Sequence, residues 1–491
     1  LMYLPDWALP FKEPRTEIRL INSVYYKYQV EYIYNATKKR TDKKTVRLLG
    51  KITEQHGFVA SDKDIIRQKA SAIPKVDIKT FGVYNLFSTL LAEEILSFND
   101  CFGDSIGDTV LSFAMMRWAY QSPIKRASNY HIHDFCSEFW SKNSISDKHI
   151  SNSLKQVGEN REVLVGWMKT MLNAPFMHSN KFVMMDSTHA ASLSEQIAIN
   201  AKGYNPNHDY DKQVRLMYLF SAQLKQPVYF RLINGNITDS KSMSLCVKEM
   251  NIKDVIYIAD KGFYSAENTK ELNQEGLQYI IPLHRNNKLI DFEPLQKSNF
   301  KKEFKTYFIY QERVIWYYQY EKEGIKLVTF LDEKLRIKEE SDYLQRIITK
   351  PEEYNIEKYY EKLTGFGTLT HTYSIAEDLN AEQIYQAYKQ RNDIETMFDS
   401  YKNFLKADIM FMQDRNVLEG WLAANFIAMI AYYRLFQRLK EKKLLSKYSP
   451  KDIIEIAKSI YKMKISGTWH LSEITVKTFE LFKKLEIGNL K

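Results

Sequence analysis

The sequence predicts an α/β protein built on a mixed sheet, with helical parts before and after it. Three observations carry this. Between residues 182 and 283, apolar runs alternate with helical segments in the order strand, strand, strand, helix, strand, helix, strand. On either side, from Tyr84 to about Ala174 and from Asn380 onward, apolar residues recur at a helical period instead. With 491 residues, 44% of them hydrophobic, the chain can build cores for two to four domains.

Residues 1–80 mix basic loops with short β-like runs, rich in Ile, Val and Tyr between Glu17 and Tyr34. Residues 81–175 read as helices, among them VYNLFSTLLAEEILSF, DTVLSFAMMRWAY, SDKHISNSLKQVG and REVLVGWMKTML. Ser146 is placed as an N-cap and Gly158 as a helix stop. Short helices carrying Lys, Arg and Tyr suit a DNA-binding domain, and a plain helical bundle fits the same pattern. Residues 176–285 hold the alternation: FVMMD (182–186), VRLMYLFSA (214–222), PVYFRLI (227–233), a helix around SKSMSLCVKEM, VIYIAD (255–260), a helix from Ala266, and YIIPL (279–283). From 286 to 375, Tyr- and Lys-rich alternating runs predict a β-rich insertion. Residues 376–440 return to helices, one from Asn380 and a long apolar one from Val417 to Leu439. Residues 441–491 read as a basic helical tail.

The formal charge is +10, and the cations cluster: Lys38, Lys39 and Arg40 with Lys43 and Lys44, then Lys301 and Lys302, then Arg438, Lys440, Lys442 and Lys443. Several such runs in a chain with 33 Tyr and 27 Phe favour a polyanionic partner, nucleic acid first. Cys101, Cys136 and Cys246 form no CxxC pair, which argues against a zinc ribbon or a disulfide framework. His131-x-His133 lacks the further ligands a metal pair needs. The N-terminal stretch carries acids and prolines where a secretory signal has an apolar core. Leu1 in place of Met fits an unusual start codon or a missing beginning. The most apolar run, Trp421 to Phe436, contains Arg434 and is too short to span a bilayer. A soluble, intracellular protein is expected.

The chemistry concentrates in AEQIYQAYKQRNDIETMFDSYKNFLKAD, which reads as one helix opening on Asn380. At about 100° per residue from Tyr388, Arg391, Glu395 and Lys402 fall at about 300°, 340° and 320°. One carboxylate thus stands among two cations and a phenol, beside the apolar stripe of Ala387, Ile394, Phe398, Tyr401 and Leu405. Arg391 and Glu395 are also ordinary i,i+4 partners, a pairing that contributes only ~0.3–0.5 kcal/mol on a surface. Two further acids weigh against that reading: Asp186 ends one predicted strand and Asp260 another, at the same edge of the sheet. Three such carboxylates suit a hard cation, Mg²⁺ or Mn²⁺. Two ions ~3.5–4 Å apart would clamp both oxygens of an in-line phosphoryl transfer.

On these motifs the chain resembles the DDE transposases of bacterial insertion sequences. The shared features are Tyr388-x2-Arg391-x3-Glu395-x6-Lys402, with DST from Asp186 and DKGFYS from Asp260, over about residues 176 to 440. The resemblance implies a ribonuclease-H-like core interrupted by a β-rich insertion. It implies Asp186, Asp260 and Glu395 as catalytic ligands of two Mg²⁺ or Mn²⁺ ions, and Tyr388, Arg391 and Lys402 as contacts to phosphates of the transposon end. Cut-and-paste chemistry would follow: hydrolysis at the element's end frees a 3′-hydroxyl, which then attacks DNA in the same site. The implied partners are the terminal inverted repeats and target, both double-stranded DNA, bound by a homodimer in the bacterial cytoplasm at the nucleoid, with no membrane. Two other readings stay open: a catalytically idle, domesticated DNA-binding protein, and a two-metal nuclease without strand joining. Tyr388 as a covalent nucleophile is disfavoured, because the Arg-rich partner set of tyrosine recombinases is missing. His189 and Glu195 are read as loop residues or as groups behind the site. Trp316 is read as a strand-packing residue or a platform for an extruded base.

Overall fold

The computed structural model describes residues 4–35, 39–66, 76–140, 145–172, 181–202, 212–297, 299–304, 306–376, 379–488 and 490. Lys38 of the first basic run and Ala174 at the end of the predicted helical region lie outside the described residues. The chain divides into two compact units, Leu1–Ile78 with Met463–His470, and Lys79–Lys462 with Leu471–Lys491.

The first unit is an antiparallel sheet in the order β1-β2-β3-β4: β1 (Thr16–Ile21), β2 (Val24–Asn35), β3 (Arg40–Thr53) and β4 (Gly57–Ala60). The β1–β2 turn places Asn22 and Ser23 at φ 49° and 64°, the left-handed pair that matches strand twist in a two-residue hairpin. Ala8, Val30 and Ile52 are buried beneath it. Strand β5 (Asp77–Thr80) follows in the chain.

Among the described residues the second unit opens with six α-helices: α1 (Gly82–Leu90), α2 (Ala92–Phe102), α3 (Asp104–Tyr120), α4 (Ile124–His133), α5 (Asp147–Glu159) and α6 (Arg161–Leu172). The alternation follows as β6 (Lys181–Ser192), β7 (Ala201–Lys202), β8 (Lys212–Ser221), β9 (Gln226–Asn234), α7 (Asp239–Met250), β10 (Val255–Ile258), α8 (Ala266–Gln274) and β11 (Gln278–Pro282). Next come the short helices α9 (Glu293–Gln296) and α10 (Phe300–Phe304), then β12 (Tyr307–Tyr310), β13 (Arg313–Lys322), β14 (Ile325–Asp332), α11 (Glu333–Thr349), α12 (Ile356–Lys362) and β15 (Thr368–Ser374). The chain ends with α13 (Ala381–Lys389), α14 (Asn392–Asp399), β16 (Ile409–Met410), α15 (Arg415–Glu441), α16 (Pro450–Lys458), β17 (Tyr461–Ile465), β18 (Thr468–Leu471) and α17 (Val476–Lys484).

The sheet is mixed. Its heart runs β9-β8-β6-β10-β11, with β6, β8 and β9 antiparallel and β10 and β11 parallel to β6. That is the ribonuclease-H-like order the resemblance implies. The Tyr-rich stretch after β11 joins this sheet rather than forming one of its own: β15 pairs with β11, and β14, β13 and β12 extend the edge. The same stretch turns helical from Glu333, where the Asp332 side chain caps α11 by accepting from Leu335 N at 3.1 Å. The C-terminal tail likewise carries the β17–β18 hairpin between its helices.

Ser146 caps α5 as expected, its Oγ accepting from His149 N at 3.2 Å. Gly158 does not stop α5, which runs one residue further. Its role is close approach: a Cβ there would fall 2.0 Å from Asn416 O, and one on Gly420 would fall 2.0 Å from Leu154 O. The two glycines let α5 and α15 pack backbone against backbone. The run Trp421–Phe436 lies within α15 and is largely buried. Among the described residues no helix is long and apolar enough to cross a membrane.

Candidate active site

Asp186 does not end its strand. It sits mid-way along β6, opposite Tyr218, because pairing with β8 continues as far as Ala191 and Gln213. Asp260 lies two residues past β10, whose Ile258 pairs with Met184. Carried two residues past the last pair, that parallel register points Asp260 toward the level of Asp186, and the Asp260 charge acts on the Asp186 carboxyl.

The single helix expected from Asn380 is broken twice. Asn380 does cap it, in a reciprocal capping box with Gln383. After Lys389 the backbone tightens: Arg391 N bonds Tyr388 O at 3.0 Å and Ile394 N bonds Arg391 O at 3.1 Å. After Asp399 it widens into a π-turn over Ser400–Phe404, where Leu405 N bonds Ser400 O at 3.2 Å. One wheel at a fixed angle thus fails for Lys402. The cause is anchoring at both ends. Tyr388 packs edge-on against His371 of β15, 4.5 Å between ring centroids. Phe398 and Tyr401 pack on Tyr218 of β8, at 5.8 and 5.7 Å. Arg117 of α3 closes the π-turn by donating to Leu405 O at 2.6 Å and, from the same guanidinium, to Asn425 Oδ1 at 3.0 Å.

This bend brings Arg391 over the sheet. Its guanidinium donates to Asp186 Oδ2 at 3.1 Å and pairs with Glu395 one turn on. Arg391 and Asp186 are mostly buried, whereas Glu395 is 52% exposed. Burial pushes the Asp186 carboxyl up to about 6; Arg391 and the Ser187 amide oppose this, and the charges of Asp260 and Asp239 add to it. Tyr388 is pushed up to about 12, by burial first and then by the Asp260 charge. The three carboxylates and Arg391 thus form one electrostatic cluster. Its donor set, hard oxygens from three separate elements, fits a divalent cation. The guanidinium stands among those oxygens, and among the described residues no three His, Cys, Asp or Glu side chains gather closely enough to hold an ion as they stand.

A family model, the transposase DDE domain, matches residues 178–431, more than half of the chain. The chain belongs to the transposase DDE domain family. Two solved structures also resemble it. One is the piggyBac transposase synaptic complex with hairpin DNA, at 12% identity and TM-score 0.39, covering 77% of this chain and 79% of that one. The other is the Mos1 transposase paired-end complex with the left transposon end, at 12% identity and TM-score 0.16, covering 39% and 62%. No curated protein matches.

The transposase domain brings a fourth acid to the cluster that the sequence did not single out. Asp239 opens α7, where an acid reads simply as a favourable first-turn residue. It accepts from Ser187 Oγ at 2.8 Å and pairs with Arg215 of β8. Arg215 in turn meets His189 Nε2 at 3.0 Å. A Cβ on Gly262, in the turn after Asp260, would lie 3.3 Å from Asp239 Oδ2. Asp239 therefore bonds the segment bearing Asp186 and lies beside the turn that follows Asp260. His189 belongs to β6 rather than to a loop, and is pushed down to about 4 by burial and then by the Arg215 charge, with Lys402 adding to it. Lys402 thus flanks the cluster on the His189 side. Glu195 is exposed, and its backbone amide donates to Gln413 Oε1 at 3.1 Å. Trp316 packs on Leu295, Phe304 and Leu331, and its Nε1 donates to Glu333 at 3.3 Å. His131 is buried against Trp140 O and His133 is exposed, so they do not converge. Part of the C-terminal basic run is used internally: Arg438 donates to Leu485 O and Glu486 O at the end of α17.

Proposed function

We propose that the chain is an active DDE transposase of the bacterial insertion-sequence type, cutting the ends of its element and joining them to target DNA. The observation that carries this reading is that Arg391 pairs with both Asp186 and Glu395 while the Asp260 charge acts on the same guanidinium, three elements within the family match. Asp186, Asp260 and Glu395 would hold the divalent cations, Mg²⁺ or Mn²⁺. Bound there, they would polarise the phosphodiester and balance the charge that develops in an in-line displacement.

The protein's own groups do the rest. Arg391, once displaced from the carboxylates, is placed to grip a backbone phosphate of the cleaved strand, as an arginine fork does. Lys402 adds a second positive charge on the His189 side. The Tyr388 hydroxyl stays protonated at neutral pH and can donate to a phosphate oxygen. In the first displacement, water forms the new P–O bond and the strand's 3′-oxygen leaves. In the second, that 3′-hydroxyl loses its proton, attacks target DNA and expels a target 3′-oxygen. In this reading residues 81–175 contribute DNA contacts, 286–375 is an insertion in the core, and a homodimer pairs two element ends at the bacterial nucleoid.

The test is Asp186→Ala, Asp260→Ala and Glu395→Ala in a Mg²⁺-dependent nicking assay on the element's terminal repeat. Each should abolish cleavage while duplex binding persists. Cleavage that survives all three changes would sink the assignment. Wild-type protein that binds the repeat but never nicks it would instead favour the idle DNA-binding reading.

A further inference from the structure

The strands of the N-terminal sheet are unequal in length. β1 covers β2 only up to Gln29, and β4 covers β3 only from Gly50 onward. Beyond these limits, among the described residues, Val30–Tyr34 ladder only with Thr41–Thr45, a two-stranded ribbon in regular register at whose base the Val30 amide also donates to Arg15 O at 2.9 Å. Its large side chains face water: Tyr32, Ile33 and Tyr34 are 60%, 49% and 65% exposed. A lone ribbon is only marginally stable, and apolar groups clustered on it point to a partner.

Residues opposite each other in the ladder share a face. Tyr32 with Lys43, Tyr34 with Thr41, and Val30 with Thr45 form one face; Glu31 with Lys44 and Ile33 with Asp42 form the other. Both acids of the ribbon therefore fall on the second face. The first presents two phenols, two threonines and a lysine. At its base Arg19 of β1 donates to Thr45 Oγ1 at 2.6 Å, and Glu17 pairs with Arg19 at 2.6 Å and Lys43 at 2.7 Å. From residue 30 to 47 six Lys or Arg stand against two acids.

We propose that this ribbon is a DNA-binding arm, laying its Tyr32–Tyr34–Lys43 face into a groove of duplex DNA. Five residue pairs at ~3.3 Å each give a ribbon ~17 Å long. The major groove, ~12 Å wide, admits a two-stranded ribbon. Lys43 would meet a phosphate; the threonine and tyrosine hydroxyls would bond phosphate, sugar or base edges. The inference shares its partner with the transposase reading but does not need an intact active site.

The test uses the full chain and a mixed-sequence duplex, with affinity read by fluorescence anisotropy across a salt series. Tyr32→Ala with Tyr34→Ala should weaken binding about tenfold or more and leave the salt slope unchanged. Lys43→Gln should lower the slope by about one contact. Ile33→Ser, on the other face, should bind as wild type. Wild-type affinity and slope in both face variants would overturn the arm. So would a change in oligomeric state with unchanged duplex binding, which would make the ribbon a self-association surface, or a loss confined to single-stranded DNA. Asp186→Ala, which should bind duplex normally, keeps failure of the arm separate from failure of the catalytic reading.

Discussion

Arg391 and the divalent cation should compete for the same carboxylates, and that competition can be measured without any turnover. Arg391→Ala removes a guanidinium that is 15% exposed from between Asp186, 19% exposed, and Glu395, 52% exposed. Removing one partner of a buried pair costs ~3–5 kcal/mol. Glu395 can re-solvate, so its share falls away and ~2–3 kcal/mol remains on Asp186 and its neighbour Asp260. Hydrogen exchange reads this locally, which suits a chain of several cooperative units. In EDTA, amides of residues 181–192 and 381–405 should exchange about 30- to 150-fold faster in the variant. Saturating Mg²⁺ should restore the variant more than it improves wild type, since its gain rises as RT ln(1 + [L]/Kd) and wild type must first displace Arg391. The penalty should also depend on pH. The Asp186 carboxyl sits at about 6 with Arg391 beside it and higher without it, so the penalty is full only well above 6, fades as pH falls, and is gone below that value. Equal protection of the two proteins in EDTA, or equal Mg²⁺ gains, would refute the competition.

Two other outcomes follow from the surrounding contacts. Asp239→Asn keeps the shape but removes the Arg215 ion pair, and should slow cleavage about 10- to 100-fold at unchanged duplex affinity, read in single-turnover assays; wild-type rates would make Asp239 a bystander. His371 is fully buried with neither ring nitrogen hydrogen-bonded among the described residues, and burial pushes it down to about 3 from 6.5. Its neutral form therefore supports the fold above 6.5, and that support is lost as pH drops toward 3, at ~1.4 kcal/mol per unit. His371→Leu should be at least as stable as wild type at neutral pH and should lose this acid sensitivity; parallel urea midpoints from neutral to acid pH would refute it.

The core strands were legible because they are buried on both faces. β8 is buried from Gln213 to Ser221, so it reads as a continuous apolar run in any register. The C-terminal half of β6 was not legible: SerThrHisAlaAlaSer has no apolar signature, and it is a strand only because β8 and β16 pair with it. Asp186 and Asp260 were visible as candidates, but their common level rests on a parallel register between segments about seventy residues apart. Arg117 was hidden for the opposite reason. It lies in α3, whose second half is buried almost throughout, and its meaning depends on carbonyls nearly three hundred residues later.

The broken helix shows how these distant contacts shape the site. A straight helix from Asn380 would satisfy its own hydrogen bonds better than a tight turn followed by a π-turn does. It is bent because Tyr388 is held on β15 while Phe398 and Tyr401 are held on β8. The bend sets the Arg391 guanidinium against Asp186, and Arg117 fixes the far end by taking Leu405 O. The polar residues therefore owe their position to the aromatic ones, and a substitution at Tyr218 or Tyr401 should disturb Glu395 without touching it.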